Sequence, residues 1–119
     1  MMNSQEHLIA GFVASFLAGQ FVGGLLEGFN VVFLMVFILL GVIGSVLPDM
    51  LEPPVGPWHR GFFHSWTVFF LIGVIALSLI ATLVIVPRVT LAYFLLGLVT
   101  GYASHLTLDA TTPASLPEI

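Results

Sequence analysis

The chain has 119 residues, 59% of them hydrophobic and only 7% charged, with a formal net charge of −4 and a mean hydropathy of +1.16. A soluble domain carries about 25% charged residues to solvate its surface, and a disordered chain is poor in apolar residues, so both classes are excluded. Zero Cys removes disulfides, thiolate metal sites and a cysteine nucleophile, and the absence of a basic patch excludes a nucleic-acid partner, which leaves an integral membrane protein.

The charged residues divide the chain into apolar windows. They hold 20 residues between Glu6 and Glu27, 21 between Glu27 and Asp49, 27 between Arg60 and Arg88, and 20 between Arg88 and Asp109. Each window is long enough for a membrane-spanning helix, which needs about 20 apolar residues. Asn3 followed by Glu6 has capping-box spacing, so helix 1 is expected over about 4–26. It is expected to be retained, because MMNSQEH lacks the basic start of a secretory signal. Glu27, Gly28 and Asn30 mark the first turn, and helix 2 is expected over 31–47, stopped by Pro48. Pro53, Pro54 and Pro57 keep the next loop irregular. Helix 3 is expected over 61–86, ending before Pro87, and helix 4 over 90–109. The expected fold is all-α: one transmembrane domain over 1–119, a bundle of four transmembrane helices running up-down-up-down.

That order places the start of helix 1, the end of helix 2, the start of helix 3 and the end of helix 4 on one membrane side. Those ends carry His7, Asp49, His59, Arg60, His64, His105 and Asp109, so every histidine and both aspartates share a face. The other side holds Glu27, Asn30 and Arg88, and Glu6, Glu27 and Arg88 read as solvated ends. Small residues extend the pattern at i, i+4 spacing: His7, Gly11, Ser15 and Gly19; Gly41, Ser45 and Asp49; Gly97, Gly101, His105 and Asp109. Such residues let helix backbones approach closely in lipid, within one chain or between copies in a homo-oligomer. Each step drifts by about 40°, so the stripes should hold well over two steps and loosely over three.

Ionisable side chains at membrane depth are functional-site candidates by default. A His and Asp set without Cys suits a divalent metal ion, Zn foremost, with Mn or Fe as alternatives. His105 and Asp109, one turn apart, can reach one ion together. His59 and His64 flank the expected start of helix 3, Asp49 arrives from the end of helix 2, and His7 from the first turn of helix 1. Arg60 beside a helix N-terminus suits a bidentate grip on a phosphate. Other readings stand beside these. His7, His59 and His64 could be interfacial residues, as Trp58 and Trp66 are expected to be. Asp49 could be a loop carboxylate, His105 with Asp109 a structural pair, and Arg60 a lipid-headgroup contact.

The string of residues carrying this set resembles a known family. His7, LPD at 47–49, HRGFFHS at 59–65 and GYASHLTLDATTP at 101–113 are similar to the pattern of the YdjM-like family, described as LexA-regulated, membrane-bound metal-dependent hydrolases. The resemblance covers nearly the whole chain and implies that His7, Asp49, His59, His64, His105 and Asp109 form the metal and catalytic set in the cell's inner membrane. Two departures stand out. Leu51 replaces the second Asp of the family's LPDxD, leaving one carboxylate fewer, and the Gly that follows the family's TP pair is displaced in TPAS.

The function expected from residues and resemblance together is a metal-dependent hydrolase at the membrane surface. Its substrate would be a phosphoester or other ester of a lipid or amphipathic molecule, with Arg60 holding the anion and Asp49 or Asp109 the general base. The rivals are a metal or proton transporter and a non-catalytic bundle pinned by its metal. Transport sites lie near the bilayer midplane on broken helices, whereas these residues lie at helix ends. One Arg falls on each side, so the positive-inside rule assigns no orientation.

Overall fold

The computed structural model describes residues 4–51 and 65–111. Among them are four helices and no strand: α1 (Ser4–Gly23), α2 (Val31–Leu51), α3 (Trp66–Ile85) and α4 (Thr90–Ala110). All four are long and apolar enough to cross a membrane, α3 with a mean hydropathy of 3.0 and α2 of 2.8. In hydrocarbon a backbone must satisfy its own polar groups, which an uninterrupted helix does. The hydroxyls follow the same rule. Ser78, Thr82, Thr100, Ser104 and Thr107 each donate to a backbone carbonyl of their own preceding turn.

The helix boundaries show which local interactions decide. Helix α1 stops at Gly23, short of the expected residue 26, because the backbone tightens there: Leu25 N–H bonds Val22 O at 2.9 Å and Leu26 N–H bonds Gly23 O at 3.0 Å. Gly28 then turns the chain with φ +80°, a conformation costly for residues with a Cβ. Asn30 caps α2, its Oδ1 accepting from Val32 N–H at 2.9 Å and Phe33 N–H at 3.1 Å. The expected stop at Pro48 is not observed, and α2 continues to Leu51. Pro48 sits one turn from the helix end, where its missing N–H costs a single bond and the turn after it still closes. Helix α3 begins at Trp66, later than the expected Gly61, because Ser65 is extended (φ −91°, ψ 163°) and its Oγ accepts from Val68 N–H at 3.2 Å. Residues 61–64 lie outside the described residues.

Helix α4 is the hub: it packs against α1, α2 and α3, while α3 packs substantially on α4 alone. Near the two short turns, Val22, Leu26, Phe37, Leu83, Ala92, Tyr93 and Leu96 form the larger apolar core. Val68, Tyr102 and Leu106 form a second cluster where α3 meets the other half of α4. Tyr93 also donates its buried hydroxyl to the Gly19 carbonyl of α1 at 3.2 Å. Large apolar side chains such as Phe21, Leu77 and Ile85 point outward, as lipid permits. At the turn end, Glu27 N–H bonds Pro87 O at 2.8 Å and Arg88 Nε meets Glu27 Oε2 at 3.2 Å, so residues expected to be merely solvated clasp the two turns together.

Glycines set how closely α2 and α4 approach. A Cβ on Gly101 would fall on the Gly41 carbonyl, and one on Gly44 would fall on the Leu98 carbonyl. Both obstacles are backbone and cannot swing aside. Gly101→Ala is therefore expected to destabilise the bundle by about 1–3 kcal/mol, or to prevent its assembly. Gly73→Ala on α3, where a Cβ meets nothing within 4 Å, should be neutral or slightly stabilising. Denaturant unfolding in detergent micelles checks both, and equal losses would contradict the packing described.

Candidate metal centre

The three i, i+4 stripes converge. On α1, His7, Gly11, Ser15 and Gly19 are all buried, and on α4 so are Gly97, Gly101, His105 and Asp109. On α2, Gly41 and Ser45 are buried and Asp49 is partly so. The stripes hold over three steps, because rows four apart are the ridges that interdigitate when helices cross closely. Ser15 Oγ lies against Gly41 and has no hydrogen-bond partner among the described residues. Ser45, which lies against Gly11 across the same interface, donates to Val42 O at 2.6 Å.

At the end of these stripes, four side chains from three helices meet. The rings of His7 and His105 stack with centroids 3.6 Å apart and planes 10° from parallel. Asp109 lies between their outer nitrogens. Its Oδ1 is 3.3 Å from His7 Nε2 and its Oδ2 is 3.3 Å from His105 Nε2. Asp49 Oδ1 approaches the same His105 Nε2 at 3.4 Å. His7 is 2% exposed and His105 and Asp109 are 0% exposed, whereas Asp49 is 20% exposed and forms the open side of the group. His105 Nδ1 meets the Ser45 carbonyl at 2.6 Å. His7 Nδ1 is buried with no hydrogen-bond partner among the described residues.

The helix dipoles at this end favour positive charge beside the carboxylates. Asp49 and Asp109 stand in the last turns of α2 and α4, where the helix dipole is negative and a carboxylate is disfavoured. No Lys or Arg of the described residues lies at this end, since Arg88 is at the opposite turn. The donor chemistry fits a divalent ion. One ligand atom each from His7, His105 and Asp109 can be chosen so that all lie within 4.8 Å of one another. Two donors held on one tetrahedral ion at about 2.05 Å stand about 3.3 Å apart. The two His–Asp109 approaches have that spacing, which is long for a charge-assisted hydrogen bond of about 2.7–2.9 Å.

Of the residues singled out in the sequence, His7, Asp49, His105 and Asp109 are thus brought together. His59, Arg60 and His64 lie outside the described residues. Sequence reasoning missed the ring stacking, the Ser45 carbonyl and the role of Tyr93. The last had a signal, because Tyr93 precedes Gly97 by four and extends the α4 stripe one step further.

Solvent access follows from the exposures. In a chain without native Cys, Asp49→Cys should react with a membrane-impermeant maleimide in the folded protein, and Asp109→Cys only after denaturation. Arg88→Cys should react from the opposite membrane side to Asp49→Cys. Labelling of both from one side of oriented vesicles would contradict the up-down order.

The profile of a family described as YdjM inner membrane protein matches residues 1–117, and the chain belongs to that family. With its four spans, it is a multi-pass inner-membrane protein. No curated protein and no solved structure matches it.

Proposed function

We propose that this member of the YdjM inner membrane protein family is a metal-dependent hydrolase, acting at the membrane surface on a phosphoester or other ester of a lipid or amphipathic molecule. The observation that carries the reading is the convergence, at 3.3 Å, of the buried His7 imidazole from the start of α1 with the buried His105 imidazole and Asp109 carboxylate at the end of α4. His7, His105 and Asp109 hold the ion, Zn foremost, and the family resemblance adds His59 and His64 to the ligands. When bound, such an ion would supply a Lewis acid that polarises the ester and makes water more acidic.

The chain's own residues divide the remaining tasks by exposure. Asp109, its two oxygens turned to the outer nitrogens of two different imidazoles, completes the ligand set. Asp49, the one partly open carboxylate of the group, is placed to take a proton from an attacking water. Arg60 holds the anionic part of the substrate, as a planar fork suited to phosphate. Transport fits less well. A transported ion needs a route near the midplane, but beneath the cluster α2 and α4 touch through Gly41 and Gly101, and Phe37 and Tyr93 fill the core with ring centroids 4.7 Å apart.

Two measurements separate binding from chemistry. Elemental analysis of purified protein should find a stoichiometric divalent ion, and His7→Ala or His105→Ala should lower its affinity by at least about tenfold. Asp49→Asn should keep most of the ion while reducing ester hydrolysis by about 10²–10⁴-fold. A protein that holds no ion, or whose hydrolysis of an ester panel survives chelation, would overturn the proposal.

A further inference from the structure

We infer that the cluster holds two divalent ions, one in front of each imidazole, with the Asp109 carboxylate bridging them. The inference rests on the proposed metal function, which asks only for a bound ion, and sets its stoichiometry. The lone pair with which an imidazole binds a metal lies in the plane of the ring, so two histidines serve one ion only where their ring planes meet at it. The rings of His7 and His105 are 10° from parallel with centroids 3.6 Å apart. Non-bonded carbon atoms in contact stand about 3.5 Å apart, so one ring lies almost directly over the other. An ion shared between them would sit about 1.8 Å out of each ring plane on a bond of only about 2.05 Å, far off the direction of either lone pair.

Two ions remove the conflict. His7 Nε2 is 3.3 Å from Asp109 Oδ1, and His105 Nε2 is 3.3 Å from Asp109 Oδ2, each the spacing of two donors on one tetrahedral ion. The two carboxylate oxygens thus serve one ring each. His105 Nδ1 meets the Ser45 carbonyl at 2.6 Å. A carbonyl oxygen only accepts, so Nδ1 carries the proton and Nε2 keeps its lone pair for the metal. Asp49 Oδ1, 3.4 Å from the same Nε2, adds a third donor to the His105 ion. The His7 ion has two donors among the described residues, and its other positions are open to further ligands, water or substrate. Ions lying in the two ring planes stand about as far apart as the rings, 3.6 Å, and catalytic metal pairs are spaced at about 3.5–4 Å.

The number of bound ions and their mutual coupling test this. Equilibrium dialysis of the metal-free protein in detergent against Zn should give two ions per chain. The same protein loaded with Mn(II) should show an exchange-coupled electron paramagnetic resonance spectrum, distinct from that of isolated Mn(II), because one carboxylate joins the pair. His7→Ala should hold a single ion and lose the coupling. One ion per wild-type chain, or two with the spectrum of isolated ions, overturns the inference and leaves the proposed function in place. No bound ion overturns the proposed function as well. A His7→Ala protein that keeps a coupled pair also overturns the inference, and where that variant does not fold the wild-type count and spectrum decide alone.

Discussion

The contact on which the rest depends is backbone against backbone, where α2 and α4 touch at Gly41, Gly44, Gly97 and Gly101. Helices in lipid gain nothing by hiding apolar surface from one another, so their association rests on dispersion contacts and buried polar bonds. Removing side chains at these positions lets the helix axes come together. Everything above the crossing follows from that approach: Ser45 and His105 meet one turn along, and Asp49 and Asp109 one turn further. Tyr93 and Phe37 fill the space on the other side of the crossing. Wider packing would leave the imidazole short of the carbonyl and the carboxylates apart.

A second consequence concerns charge. Two carboxylates at the negative ends of two helices, one wholly buried, are an expensive arrangement in a membrane. The same end carries His7 from the first turn of α1, whose N-terminal dipole is positive. The cluster therefore sets two carboxylates beside imidazoles at the meeting point of three helix ends. His105 Nδ1 is directed to the Ser45 carbonyl, and the outer ring nitrogens of both histidines are turned towards the carboxylates.

Much of this was legible in the sequence because membrane immersion simplifies the code. Charge is so scarce that each ionisable residue marks a helix end or a site, and the up-down order then assigns those ends to sides. The i, i+4 stripes likewise announced the buried faces of α1, α2 and α4. What escaped reading depends on three-dimensional detail. Pro48 looked like a helix stop because propensity counts the lost bond but not the position near the terminus. Helix 3 was expected from residue 61, but the observed cap is Ser65, whose hydroxyl accepts from the amide three residues on. The peripheral place of α3 has no signature in hydropathy, since a helix apolar all round packs equally well on lipid or protein. Glu27 and Arg88 are distant in sequence, and nothing in either stretch shows that they pair.

The order in which the donors occur along the chain has a consequence for biogenesis. His7 is made first, Asp49 at the end of the second span, and His105 and Asp109 only in the last. A nascent chain with one hairpin in the membrane owns half of the cluster and lacks the carboxylate that the two imidazoles share. Any ion bound at this place therefore binds the completed bundle and not its precursors. By mass action it favours the final docking of α4 over every partly assembled state. Occupancy by the proposed ion would then report that the last helix has found its place.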